Sequence, residues 1–151
     1  AHGVIACQGG NMAGWSLYID ESGKPTYHYN WLGHVHSVVG DTQALKPGSH
    51  EIVVDFAYDG GFGAGGDATL YVDDREAGSV RIEKTVPLVY SMSGETFDIG
   101  VDTGSPVGNY PHLFTCTADI VGVTIERLNE PSAATKQKMR EGEFKASIST
   151  Q

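Results

Sequence analysis

Apolar residues recur at every second position in short runs punctuated by glycine, proline and aspartate, and this period suits strands and excludes helices. Trp15, Leu17 and Ile19 alternate with Ser16 and Tyr18, and Tyr27 and Tyr29 alternate with Thr26, His28 and Asn30. Ser22-Gly23-Lys24-Pro25 stands between them, so the pair reads as a hairpin. Ile52, Val54, Phe56 and Tyr58 share one face of a strand that starts near His50, entered through the turn signal Lys46-Pro47-Gly48. Ala68, Leu70 and Val72 repeat the period, Asp73-Asp74 turns the chain, and Val80 and Ile82 lie on the return strand. Phe97, Ile99 and Val101 follow, and Val121, Val123 and Ile125 close the body. Roughly nine or ten short strands without a βαβ rhythm predict an all-β fold, a two-sheet antiparallel jelly-roll sandwich.

Composition agrees. Glycine occurs 20 times in 151 residues, about twice the usual ≈ 7%, as a turn-dense chain requires. The length is that of one domain, enough for a single core. After Glu130-Pro131 the composition changes to Ala, Lys, Gln, Met, Arg and Glu, with Ser132 placed to cap a helix. The chain therefore divides into a β-sandwich domain over 1–129 and a basic, partly helical tail over 130–151. A helix over 132–141 is expected, docked through Met139 and Phe144, because an isolated helix this short is marginal in water.

Nineteen acidic against ten basic side chains give a net charge of −9, which argues against binding a nucleic-acid backbone. The acidic excess lies in 1–129, and the tail is slightly basic. No apolar run approaches the ~18 residues of a membrane span, so no membrane partner is expected. The chain opens at Ala1 without Met or a charged-then-apolar leader, which suggests a processed product or a segment cut out of something longer.

Several motifs point toward chemistry. Gly61, Gly63 and Gly66 fit Gly-x-Gly-x-x-Gly after a strand, but a dinucleotide loop needs a helix next and here a strand follows, so a wide inter-strand turn is expected. Such a turn still lets backbone approach a ligand closely. Val101-Asp102-Thr103-Gly104-Ser105 matches the aspartic-protease hallmark, which in single copy demands a homodimer. Its position late in the chain favours instead an Asx-type turn leaving a strand. Glu51 and Asp55 share one side of a strand but stand about 13 Å apart, too far for a glycosidase pair. His34 and His36 share a strand face with His28 across the preceding turn, yet no Cys or carboxylate completes a metal set by spacing. Trp31 offers a ring for stacking on a sugar. The ligand-binding candidates are thus His34, His36, Trp31, Asp59, Gly61 and Gly63, with no catalytic residue and no metal ligand assigned. In a jelly roll the first and last strands are commonly neighbours, which leaves Cys7 and Cys116 as either a disulfide pair or two buried thiols.

A longer pattern runs through these pieces: Gly3-Val4-Ile5, Gly9-Gly10, Gly14-Trp15-Ser16-Leu17-Tyr18, Gly23-Lys24-Pro25-x-Tyr27-x-Tyr29-Asn30 and Leu45-x-Pro47-Gly48-x-His50. It continues through Phe56-Ala57-Tyr58-Asp59-Gly60-Gly61, Thr69-Leu70-Tyr71-Val72-Asp73 and Glu95-Thr96-Phe97-Asp98-Ile99-Gly100-x-Asp102-Thr103-Gly104-Ser105-Pro106-Val107. Together these resemble the C-terminal β-domain of large bacterial arylsulfatases over nearly all of residues 3–128. The resemblance implies a concanavalin-like sandwich and a parent enzyme that hydrolyses sulfate esters with a formylglycine and a divalent cation, usually calcium. The formylglycine motif, Cys/Ser-x-Pro/Ala-x-Arg, is missing: Cys116-Thr117-Ala118-Asp119-Ile120 ends in Ile where Arg is required. No cofactor is therefore expected in this chain, and nothing catalytic carries over. What the resemblance implies is a non-catalytic accessory domain that packs on an upstream catalytic domain, makes homo-oligomer contacts or shapes the substrate entrance, in a bacterial periplasm or cytoplasm. An autonomous carbohydrate-binding module with a glycan partner is the alternative.

Overall fold

The computed structural model describes residues 1–61, 63–85, 97–126 and 142–150. These form ten strands and no helix. The first four, β1 (Gly3–Gly10), β2 (Ala13–Ile19), β3 (Pro25–Trp31) and β4 (Val35–Gly40), run as one antiparallel meander. A second meander follows in β5 (Gly48–Tyr58), β6 (Ala64–Val72) and β7 (Arg75–Lys84). The short β8 (Phe97–Ile99) returns to pair with β1. Beyond it, β9 (Asp119–Glu126) and β10 (Gly142–Thr150) join the second sheet. Two five-stranded sheets result, ordered β4-β3-β2-β1-β8 and β7-β6-β5-β10-β9.

The alternating residues do what their period requires. Trp15, Leu17, Ile19, Tyr27 and Tyr29 of the first sheet meet Ile52, Val54, Phe56, Leu70 and Ile82 of the second in one buried core. Asp73 and Asp74 both take positive φ, 50° and 66°, the pair of left-handed residues that a two-residue hairpin turn needs. A polar tie adds to the apolar contact between sheets. The buried Asp41, just after β4, accepts a 2.6 Å hydrogen bond from the Arg75 guanidinium at the start of β7.

Residues 142–150, read from composition as part of the tail beyond the sandwich, instead form a strand inside it. β10 is paired along its length with β5 on one side and β9 on the other, and Ile148 is wholly buried. The helix expected over 132–141, with Met139, lies outside the described residues. Phe144, expected to anchor it, falls in β10 opposite Val54.

Cys7 and Cys116 are both free, which decides against the disulfide. A β-bulge between Val4 and Ala6 resets β1 so that Cys7 joins Val4 and Tyr18 on the outer face of the first sheet. Cys116 packs against the inter-sheet core. The two thiols thus serve different layers.

Two outcomes are expected. Intact mass measured without reductant after denaturing alkylation should show two modified cysteines, and a mass two hydrogens short with no modification would show a bond. A chain ending at residue 141 should lose cooperative thermal unfolding, because β5 and β9 both lose their shared neighbour. Melting within a few degrees of the full chain would make β10 dispensable.

Candidate functional site

The inner strands of the first sheet are buried on both faces: all of β2 and nearly all of β1 and β3 are inaccessible. One face meets the second sheet. The other is covered by the segment 100–117 between β8 and β9, which lies across the sheet as a strap. Val107, Tyr110 and Phe114 from the strap pack on Val4, Cys7 and Tyr18, with the Tyr18 and Tyr110 rings edge to face at 4.8 Å.

Strand register lines up a row of polar side chains beneath this cover. Asp98 on β8 stands opposite Cys7 on β1, Cys7 opposite Ser16 on β2, and Ser16 opposite His28 on β3. Asn30, two residues further along β3, donates from Nδ2 toward the carbonyls of Gly10, Asn11 and Val107, while its Oδ1 accepts from the Gly33 amide at 2.8 Å. One side chain thereby ties the β1–β2 turn, the β3–β4 turn and the strap. Gly108 sits so close to the imidazole that an added Cβ would lie 2.9 Å from His28 Nδ1.

Asp102 anchors the strap. Its Oδ2 accepts hydrogen bonds from the Val107 amide at 3.2 Å and the Tyr110 hydroxyl at 2.7 Å. Nearby, Asp98 Oδ2 accepts from the amide and hydroxyl of Thr103. The protease-like run is thus a turn whose carboxylate is 1% exposed, with no room for a peptide beside it. Burial raises the Asp102 carboxyl above its ordinary range. Burial, together with Asp102 and Asp98 close by, likewise pushes the Cys7 thiol well up, so it is no nucleophile at neutral pH. Burial also raises Tyr18, to about 12.

The expected ligand residues are scattered. His36 Nδ1 and His28 Nε2 share a 2.7 Å hydrogen bond, with the rings edge to face. His34 does not share their strand face. β4 begins at Val35, and His34 lies exposed in the turn after Leu32 and Gly33, both at positive φ. Trp31 is half-buried at the end of β3, and the Lys84 ammonium sits 5.4 Å over its ring. Asp59 is held by Arg81, which also reaches Asp67 at 3.4 Å. The Gly61 carbonyl accepts from the Tyr58 hydroxyl, and Gly63 takes positive φ in the same turn. That segment is the expected wide inter-strand turn, with β6 following directly.

Sequence reasoning missed Cys7, Ser16, Asp98 and Asp102 as one neighbourhood. Only the Asp98-x-x-x-Asp102 spacing was visible, and the pairing of β8 with β1 brings Cys7 to it. No family model, curated protein or solved structure matches the chain.

His28 carries a pH consequence. Burial, and then the neighbouring His36, lower it from 6.5 to about 4. Between these values the unfolded chain binds a proton that the folded chain refuses, so stability falls as pH drops through that window, by up to about 3 kcal/mol. Chemical denaturation at intervals from pH 7 to pH 4 should show a shallower loss for His28→Gln than for the wild type. Parallel slopes would contradict it.

Proposed function

We propose that the chain is a non-catalytic accessory β-sandwich domain of an arylsulfatase, which docks on the upstream catalytic domain that hydrolyses the sulfate ester. The observation that carries this reading is a set of exposed apolar side chains on the edge strands at the open side of the sandwich. Phe97 and Ile99 of β8 and Val121 and Ile125 of β9 are all exposed, Val121 by 77%. β8 and β9 are the edge strands of the two sheets on the same side, and Ile120 reaches to within 3.7 Å of the Cβ position at Gly100. Full burial of such a side chain is worth roughly 1.5–3 kcal/mol, of which a partner would supply the still-exposed share. Edge strands that carry large apolar groups invite association.

The resemblance over residues 3–128 supplies the partner's identity. Topology supports the finer fold assignment, a concanavalin-like jelly roll. In each sheet a late strand returns beside the first strand of a meander, β8 beside β1 and β10 beside β5, which is Greek-key order. A role as an autonomous glycan-binding module gains less support. The Trp31 face is occupied by Lys84, and Trp15, Tyr27 and Tyr29 are sealed in the core.

Incubation of the chain with p-nitrophenyl sulfate should give no turnover. The catalytic segment encoded upstream should carry the Cys/Ser-x-Pro/Ala-x-Arg motif and bind this chain when expressed separately. Ile99→Asp combined with Val121→Asp should weaken that binding by at least about tenfold. Turnover by the chain alone, or binding indifferent to both substitutions, would overturn the proposal.

A further inference from the structure

We propose that Cys7, Asp98 and Asp102 form a binding site for one divalent cation of the zinc class, at the seam between β1, β8 and the strap. The inference stands apart from the accessory role and does not depend on the sulfatase resemblance. One potential ligand atom from each residue, the Cys7 sulfur and an oxygen of each carboxylate, lies within 4.8 Å of the other two. Two of the three are placed by register, since Cys7 and Asp98 face each other across adjacent strands. The third is delivered by the strap.

The second observation is the state of Asp102. Its side chain is 1% exposed, Oδ2 is taken by Val107 and Tyr110, and Oδ1 has no hydrogen-bond partner. A buried carboxylate oxygen without a partner is costly unless a proton or a cation balances it. Here the nearest companions are a second carboxylate and the Cys7 thiol, neither of which brings positive charge. Interactions that already hold the cluster serve as an outer shell. Thr103 orients Asp98, and Val107 and Tyr110 orient Asp102.

The donor set selects the ion. Calcium and magnesium take six to eight, or six, oxygen ligands and do not seek sulfur, whereas one thiolate with two carboxylate oxygens suits zinc in tetrahedral coordination. Zinc–sulfur and zinc–oxygen distances of about 2.3 and 2.1 Å put tetrahedral ligands roughly 3.5 Å apart. The three atoms, now within 4.8 Å, therefore draw in by about 1 Å or a little more. Three protein ligands leave the fourth position to water. Asp98 is half-buried on the edge strand, which gives the ion its way in. Once bound, the cation would fasten the strap to the sheet edge where β1 and β8 pair.

Cobalt(II), a spectroscopic substitute for zinc, separates this site from the histidines, because only a thiolate ligand gives a sulfur-to-cobalt charge-transfer band in the near ultraviolet. The full chain should bind one cobalt with that band, lose it to equimolar zinc and keep it in excess calcium. Cys7→Ser should abolish the band and Cys116→Ser should preserve it. Asp98→Asn and Asp102→Asn should each weaken zinc binding by at least about tenfold. Should Cys7→Ser or Asp102→Asn fail to fold, Asp98→Asn decides, since its side chain lies at a sheet edge and the amide can still accept from Thr103. Absence of the band in the folded chain, its loss in Cys116→Ser, or unchanged zinc affinity in Asp98→Asn would overturn the proposal.

Discussion

Burial of β1, β2 and β3 on both faces is the constraint from which the rest of the structure follows. An antiparallel sheet usually leaves one face to water and covers the other. Here the water-facing positions hold Ser16, Thr26, His28 and Asn30, all buried, so each must find a partner in the strap or in its neighbours. Asn30 succeeds completely, and in doing so links two turns to the strap. His28 Nδ1 and Asp102 Oδ1 do not. Both lie in the same outer layer. The outer layer is thus where the chain has traded packing for chemistry, the usual mark of a site rather than of a scaffold.

Much of the fold was legible because strand period and turn chemistry agree locally. The hairpin of β2 and β3, the Asp73-Asp74 turn, β5, β8 and β9 all lie where the alternation of Trp15, Ile52, Phe97 and Val121 with their polar neighbours puts them. Two elements were not legible for physical reasons. β1 reads Gly-Val-Ile-Ala-Cys-Gln-Gly-Gly, a doubly buried strand whose bulge at Ile5 breaks the period of two. β10 carries a fair alternation of Phe144, Ala146 and Ile148, but it follows a stretch rich in Ala, Lys, Glu and Met, and local propensity there speaks for helix. A strand that pairs on both sides gains its stability from one partner about twenty and another about ninety residues earlier in the chain, and such pairing has no local signature.

The site was less legible than the fold. Residues chosen for their chemistry alone do not gather in one place: His34 lies exposed in a turn, Trp31 is half-buried at the end of β3 under Lys84, and Asp59 is held by Arg81 beside the glycine turn. The histidine pair was partly visible: spacing across the β3–β4 turn does bring His28 and His36 together, while His34 falls outside because the turn ends one residue later than the alternation suggests. Cys7 and Asp98 are adjacent only because β8 returns to the first strand after ninety residues. Alternation assigns Ser16 and His28 to a polar face, which reads as solvent until the strap is placed over it.

Electrostatics closes the account of that layer. A chain of net charge −9 gains nothing from adding anionic groups to its interior, yet it places two carboxylates and a thiol together at one end of the seam. Hydrogen bonds from Val107 and Tyr110 offset part of the cost by favouring the ionised Asp102 carboxylate. Burial first, and then the neighbouring carboxylates, push both Asp102 and Cys7 toward their protonated forms, so that protons balance the cluster and the thiol is no nucleophile. Packing adds no positive charge there, because Val107 and Phe114 contribute area alone. A positive partner at the seam would satisfy in one step the electrostatics of three side chains and the attachment of the strap, and the strap in turn seals the face on which the doubly buried sheet depends.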